Sequence, residues 1–216
     1  MPKITDMQIQ KNNKTRANVY IDGEFSFALE MLTVMKLGLK IGQEVSEDIL
    51  REAVTDSEKS VAFERAIDYL GRGMKTVKQI RDYLAKKGYS PEVVEHVVTR
   101  LSEYRYLDDA AYAKLYVEHN SVTKGERRLK QELVQKGISV SLAEEYSAVD
   151  SEQSLANAER LAEKYMKNKP HDLKTLQKLQ RYLVSRGYSF DTVNTVVRSY
   201  NINEDWVSVT NMQFYT

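Results

Sequence analysis

The sequence predicts a mainly α-helical protein of tandem three-helix modules in an elongated array, preceded by a small β-rich N-terminal segment. Three observations lead there. The stretch RDYLAKKGYS at Arg81 returns about fifty residues later as KQELVQKGIS, and again as QRYLVSRGYS. Aligning Gly88, Gly137 and Gly187 brings Leu84, Leu133 and Leu183 into register, and Ile80, Leu129 and Leu179 four positions before them. Residues four apart share a helix face, so each repeat offers the same core positions. The first thirty residues instead alternate apolar and polar side chains, which is strand periodicity.

In ITDMQIQ and ANVYIDGEFSFAL the alternation predicts two strands joined at Asn12-Asn13, then a tight turn at Asp22-Gly23 into a third. Leu37-Gly38 and Ile41-Gly42 punctuate a short helix. Ser46, with Glu47 and Asp48 behind it, caps a helix running toward Lys59. The predicted boundaries are 1–59 for this region, 60–107, 108–150 and 151–200 for the modules, and 201–216 for a tail.

Each module should hold three helices. The first carries Ala62, Ala66, Tyr69 and Leu70; Ala113, Leu115, Tyr116 and Val117; or Ala158, Leu161, Ala162 and Tyr165. The second ends at the aligned glycine, read as a left-handed C-cap with Tyr89, Ile138 or Tyr188 folding back on the helix end. The third starts near Ser90-Pro91, Ser139 or Ser189, with Val93, Val94, Val97 and Val98, or Val193, Val196 and Val197, facing inward. About fifty residues make a marginal core, so neighbouring modules should gain stability by packing together.

No apolar run reaches membrane-spanning length, and the N-terminus lacks a signal-peptide pattern, so the expected compartment is the cytoplasm. The absence of cysteine excludes disulfides and thiolate metal sites. His96, His119 and His171 have no metal spacing. Asp108-Asp109 reads as a helix cap and first-turn charge rather than a carboxylate pair. Without a phosphate loop, nucleophile elbow or histidine–carboxylate pattern, neither enzyme activity nor a cofactor is expected.

The net charge of +1 hides a partition. Glu44 to Glu64 holds seven acidic and two basic residues, whereas Arg72 to Ser90 holds six basic and one acidic and Lys164 to Gly187 seven and one. Lys75, Lys78 and Arg81 form a basic row on the first module's middle helix, and Lys174, Lys178 and Arg181 a related row in the third. The second module has Lys124, Arg127, Arg128 and Lys130. Such rows suit phosphates or acidic protein side chains, and equally the solvated faces of a structural scaffold. Tyr83, Tyr104, Tyr106, Tyr112 and Tyr116 are read mainly as packing residues, with base stacking as the alternative.

The opening ITDMQIQKNNKTRANVYIDGEFSFAL, with AIDYLGRGMKTVKQIRDYLAKKGYS, LSEYRYLDDAAYAKLYVEHN and KGERRLKQELVQKGIS, resembles the RecX regulatory protein family over residues 1–200. The resemblance implies a bacterial cytoplasmic modulator of the RecA recombinase, monomeric when free. Such a protein binds the groove of the RecA filament on single-stranded DNA and restrains strand exchange. Tyr106, Leu107, Asp108 and Asp109 match the family's junction between modules. Lys124, Gly125, Arg127, Arg128 and Leu129 match its most characteristic block, which implies filament or DNA contacts by Lys124, Arg127 and Arg128 above a buried Leu129. Alternatives are a protein that coats single-stranded nucleic acid directly, or a helical scaffold. Longer relatives continue into a further module, which Glu204-Asp205-Trp206 resembles at its start, so a truncated C-terminus and a half-exposed Trp206 are expected.

Overall fold

The computed structural model describes residues 2–200; Trp206 and the rest of the C-terminal segment lie outside them. The chain divides into two compact units between Asp108 and Asp109.

The first unit opens with an antiparallel sheet in the order β1 (Ile4–Ile9), β2 (Arg16–Ile21), β3 (Glu24–Glu30). Asp22 (φ 49°) and Gly23 (φ 91°) form the two-residue turn that sets Ile21 opposite Glu24. Both turn positions need positive φ to match the twist of the flanking strands. The Asp22 carboxylate secures the turn by accepting from the Lys3 amide at 3.1 Å. Alternation buries Ala17 and Val19. Val19 packs with Ile4, Leu29, Val34, Leu39, Val45 and Ala53. The short helix α1 (Met31–Lys36) supplies Val34.

Helix α2 (Glu47–Leu70) is capped by Ser46, whose hydroxyl accepts from the Ile49 amide. It corrects the expectation of separate helices on either side of residue 60. No Gly or Pro interrupts 47–70, so nothing stops propagation. The expected boundary at 59/60 therefore falls within one helix. Its Ala53 belongs to the sheet core, while Ala62 and Ala66 belong to the first module. Arg16 of β2 ties the sheet to this helix, donating to Ser57 Oγ (3.1 Å) and the Ala28 carbonyl (3.3 Å).

The first module is completed by α3 (Val77–Lys86) and α4 (Pro91–Glu103). Thr76 and Gln79 form a reciprocal capping box at the start of α3. Ile80 and Leu84 meet Val93, Val94, Val97, Val98 and Leu101 in one core.

The second unit contains α5 (Asp109–Asn120), α6 (Glu126–Gln135), α7 (Val140–Ser147), α8 (Ser151–Met166), α9 (Leu173–Ser185) and α10 (Phe190–Ser199). Leu129, Leu133, Leu179 and Leu183 are fully buried, as their register requires. Leu115 is not, at 51% exposed. Two residues beyond buried Ala113, it lies about 200° around the helix and faces away from the core.

All three aligned glycines adopt positive φ, at 88°, 94° and 89°. The amide after each returns to the leucine four residues before the glycine: Tyr89 to Leu84, Ile138 to Leu133, Tyr188 to Leu183. The glycine amides bond Ala85, Val134 and Val184. These paired bonds are the Schellman closure, which satisfies carbonyls left open at a helix end. Ser90, Ser139 and Ser189 then cap the following helices.

A candidate partner-binding surface on the second unit

The block KGERR lies at the start of α6, and much of it is committed to the protein itself. The Gly125 amide donates to the Arg186 carbonyl (2.9 Å) and the Arg127 amide to the Gly187 carbonyl (3.2 Å). The Arg127 guanidinium reaches the Val184 carbonyl at 3.1 Å. The N-terminus of α6 thus docks on the C-terminal closure of α9, where open amides meet open carbonyls.

Lys124 is likewise engaged. Its ammonium lies 2.6 Å from Glu132 Oε2 and 3.2 Å from the Tyr116 hydroxyl, with its side chain 21% exposed. Glu132 also accepts from Tyr116 (2.5 Å) and Arg128 Nε (2.7 Å). Burial would raise the Glu132 pKa, but hydrogen bonds from Lys124, Tyr116 and Arg128 outweigh it and hold the carboxyl at about 2. Burial would lower the Lys124 pKa, and its bonds to Glu132 and Tyr116 raise it instead.

The repeat register explains this arrangement. Five residues before the aligned glycine, the first and third modules carry Tyr83 and Tyr182, and the second carries Glu132. Tyr83 stacks on Tyr69 at 4.2 Å and Tyr182 on Tyr165 at 4.8 Å. In the second module the carboxylate at that place draws in Lys124. Its register equivalents differ: Lys75 donates to the Gly73 carbonyl (2.7 Å) and sits over the Tyr69 ring, while Lys174 is exposed.

The ten basic residues singled out from sequence are therefore unequal. Lys78 pairs with Asp82, and Arg81 binds Glu95 through two 2.7 Å contacts. Lys130 pairs with Glu144. By contrast, Lys174 and Lys178 on α9 are exposed and have no ion-pair partner among the described residues. Arg181, the third member of that row, bonds only weakly to the Gln177 carbonyl, at 3.4 Å. Like Lys75 and Arg127, the row makes no ion pair among the described residues, although, after hydrogen bonds from Thr175, Lys174 and Lys178 help hold the Asp172 carboxyl below its ordinary pKa. Lys124, expected to contact a partner, is half-buried and paired with Glu132.

Arg181 also leads into a groove of about 300 Å³ between α6 and α9–α10. Arg127, Arg128, Gln131, Gln180, Arg181 and Phe190 line it, with no carboxylate among its lining residues. Phe190, the first residue of α10, is 54% exposed. Sequence reading passed over it and the two glutamines. The available signal was its place just after the Ser189 cap, where the other modules have Pro91 and Val140, both also exposed.

Among the tyrosines, Tyr83, Tyr112 and Tyr116 are partly buried against their modules, in agreement with a packing role. Tyr104 and Tyr106 are 53% and 58% exposed, and Tyr104 meets Phe63 and Tyr106 edge-on at 6.1 and 6.2 Å. They follow the end of α4, where Arg105 turns the chain at positive φ (58°). No group of His, Asp or Glu among the described residues could hold a metal ion. No described helix is long and apolar enough to cross a membrane.

Comparison with known proteins follows the same divisions. Residues 2–46 match the regulatory protein RecX N-terminal domain, and 62–101, 108–146 and 151–197 match the first, second and third RecX three-helix domains. Regulatory protein RecX of Clostridium botulinum (strain Alaska E43 / Type E3) is 34% identical over 203 residues, covering 92% of this chain and 96% of its own. That of Bacillus licheniformis is 33% identical, covering 95% and 80%. A crystal structure of regulatory protein RecX superposes with a TM-score of 0.71 at 29% identity, over 91% of this chain and 98% of that one. With four matching domains in order, and similarity along nearly the whole length of curated relatives, the chain belongs to the RecX family of regulatory proteins.

Proposed function

We propose that this protein binds the RecA filament on single-stranded DNA and restrains recombinase activity without covalent chemistry. The reading rests on membership of a regulatory family and, in this chain, on the row Lys174, Lys178 and Arg181. Exposed cations at successive turns offer salt-sensitive attachment to a polyanionic partner. Several modules engaging successive protomers would add weak contacts into one strong attachment, and occupancy of the groove would hinder strand exchange. The reading puts the protein in the cytoplasm, as a monomer before it meets the filament.

The test is binding to RecA assembled on single-stranded DNA beside the same DNA alone, over a range of salt. Tighter and less salt-sensitive binding to the filament is expected. Equal affinity for naked DNA, falling steeply with salt, would make phosphate neutralisation the main event and displace RecA as the partner.

A further inference from the structure

We infer that the cavity between α1, α2 and α4 binds a small phosphate monoester of a hydroxylated compound, its phosphate held by Lys59, His96 and Arg100 and its hydroxyls by Glu30 and Glu64. The site lies wholly within the first unit and is independent of the proposed filament contacts.

The cavity has a volume of about 470 Å³, within the range of small-molecule sites. Its cations are placed by helix spacing. On α4, Glu92, His96 and Arg100 follow at intervals of one turn and share a face. Lys59 of α2 pairs with Glu92 at 3.0 Å, which draws its ammonium to that row and uses one of its three donors. The Arg100 guanidinium donates to the Tyr104 hydroxyl at 2.6 Å and lies 5.7 Å from the centre of the Phe63 ring. It is therefore positioned, while most of its five donors stay open among the described residues.

His96 lacks a counter-charge. It makes no hydrogen bond or ion pair among the described residues. Partial burial, then Lys59 and Arg100, push its pKa below the ordinary 6.5, and Asp56 and Glu103 pull it the other way with less effect. Lys36, the remaining cation of the cavity, is held by Asp56 at 3.4 Å. A phosphate beside His96 would supply the negative charge that favours its protonated form.

The carboxylates define the rest of the ligand. Asp56 is engaged by Lys36, but Glu30 and Glu64 line the cavity without an ion pair among the described residues, and Glu30, at the N-cap of α1, makes no capping bond. Ionised carboxylates accept hydrogen bonds and donate none, so they oppose a bare oxyanion and receive hydroxyls. A phosphate monoester carrying hydroxyls satisfies both sets of groups.

The experiment uses the full chain with sulfate, ribose and ribose 5-phosphate as probes. Proton NMR resolves His96 among the three histidines by comparison with His96→Gln. Sulfate stays doubly charged across the range and favours imidazolium, so it should raise the His96 pKa by about one pH unit. Its affinity should then be about tenfold greater below that pKa than above it, and His96→Gln should abolish this pH dependence. At neutral pH ribose 5-phosphate should bind about tenfold or more tighter than sulfate, the worth of one hydroxyl bonded to a carboxylate, and ribose should not compete. Arg100→Gln should weaken both anions about tenfold. Glu64→Ala should reduce the advantage of ribose 5-phosphate and leave sulfate no weaker. Thermal melts establish folding, and the exposed positions His96 and Glu64 keep the test decisive should Arg100→Gln unfold.

A His96 resonance that neither anion moves overturns the inference, as does undiminished anion binding by folded Arg100→Gln. Sulfate bound as tightly as ribose 5-phosphate also overturns it, since the cavity would then hold an adventitious ion only.

Discussion

Gly125 and Gly187 meet backbone against backbone. A Cβ on Gly125 would lie 2.4 Å from the Gly187 carbonyl oxygen, and one on Gly187 would lie 2.4 Å from the Arg128 amide nitrogen. Gly125 has an ordinary φ of −80°, so it is the close approach, not backbone conformation, that demands glycine there. Gly125→Ala should therefore cost about 1–3 kcal/mol through overpacking, read as a lower denaturation midpoint. A midpoint equal to wild type would mean that the two helix ends do not stay in contact in solution.

Gly137 makes the opposite demand. At φ 94° it lies where side chains are strained, and its amide closes on Val134. Gly137→Val should cost roughly 1 kcal/mol or more in urea unfolding. Wild-type stability would contradict the left-handed closure.

Glu132 gives unit two a defined acid limb. Its folded pKa of about 2 lies below the ordinary 4.5. Its contribution is therefore complete above about pH 4.5 and lost as pH falls toward 2. Glu132→Gln should flatten that limb, and at neutral pH should cost about 2 kcal/mol through weakened charge-assisted bonds to Lys124 and Arg128. Parallel acid titrations followed by circular dichroism would test it, and superimposable curves would refute it.

Reversing charges should separate attachment from architecture. Lys174→Glu with Lys178→Glu should alter stability by no more than about 0.5 kcal/mol, since both side chains are exposed and without ion-pair partners among the described residues. The same pair should weaken filament binding. Arg127→Glu should cost about 1–2 kcal/mol because it removes the bond to Val184. A stable Arg127→Glu beside an unstable double variant would invert this assignment.

What the sequence made legible follows from periodicity. The leucines and isoleucine before the aligned glycines, the serine caps and the Asp22-Gly23 turn are local patterns, and each landed where its spacing indicates. The basic residues were harder, because a sequence carries charge without its partner. Arg81 and Glu95 are fourteen residues apart, and Arg127 reaches a carbonyl fifty-seven residues away. The groove was hidden for the same reason: Gln131, Arg181 and Phe190 become neighbours only after α6 docks on α9. The break expected near Ser60 fails differently. The helix running toward Lys59 and the first module's opening helix each have their own apolar stripe, but helix propagation needs only the absence of a stop signal, and the two form one element.

The continuity of α2 bears on how this protein can be taken apart. Ala53 and Ala66 stand on one rod, each sealing a different apolar cluster. An excised fragment ending at residue 59 would expose a severed helix and lose the far half of its anchor, whereas a cut between Asp108 and Asp109 falls at the division between units. The sheet and the first module should accordingly lose amide-exchange protection together along α2, as one foldon that spans two nominal domains.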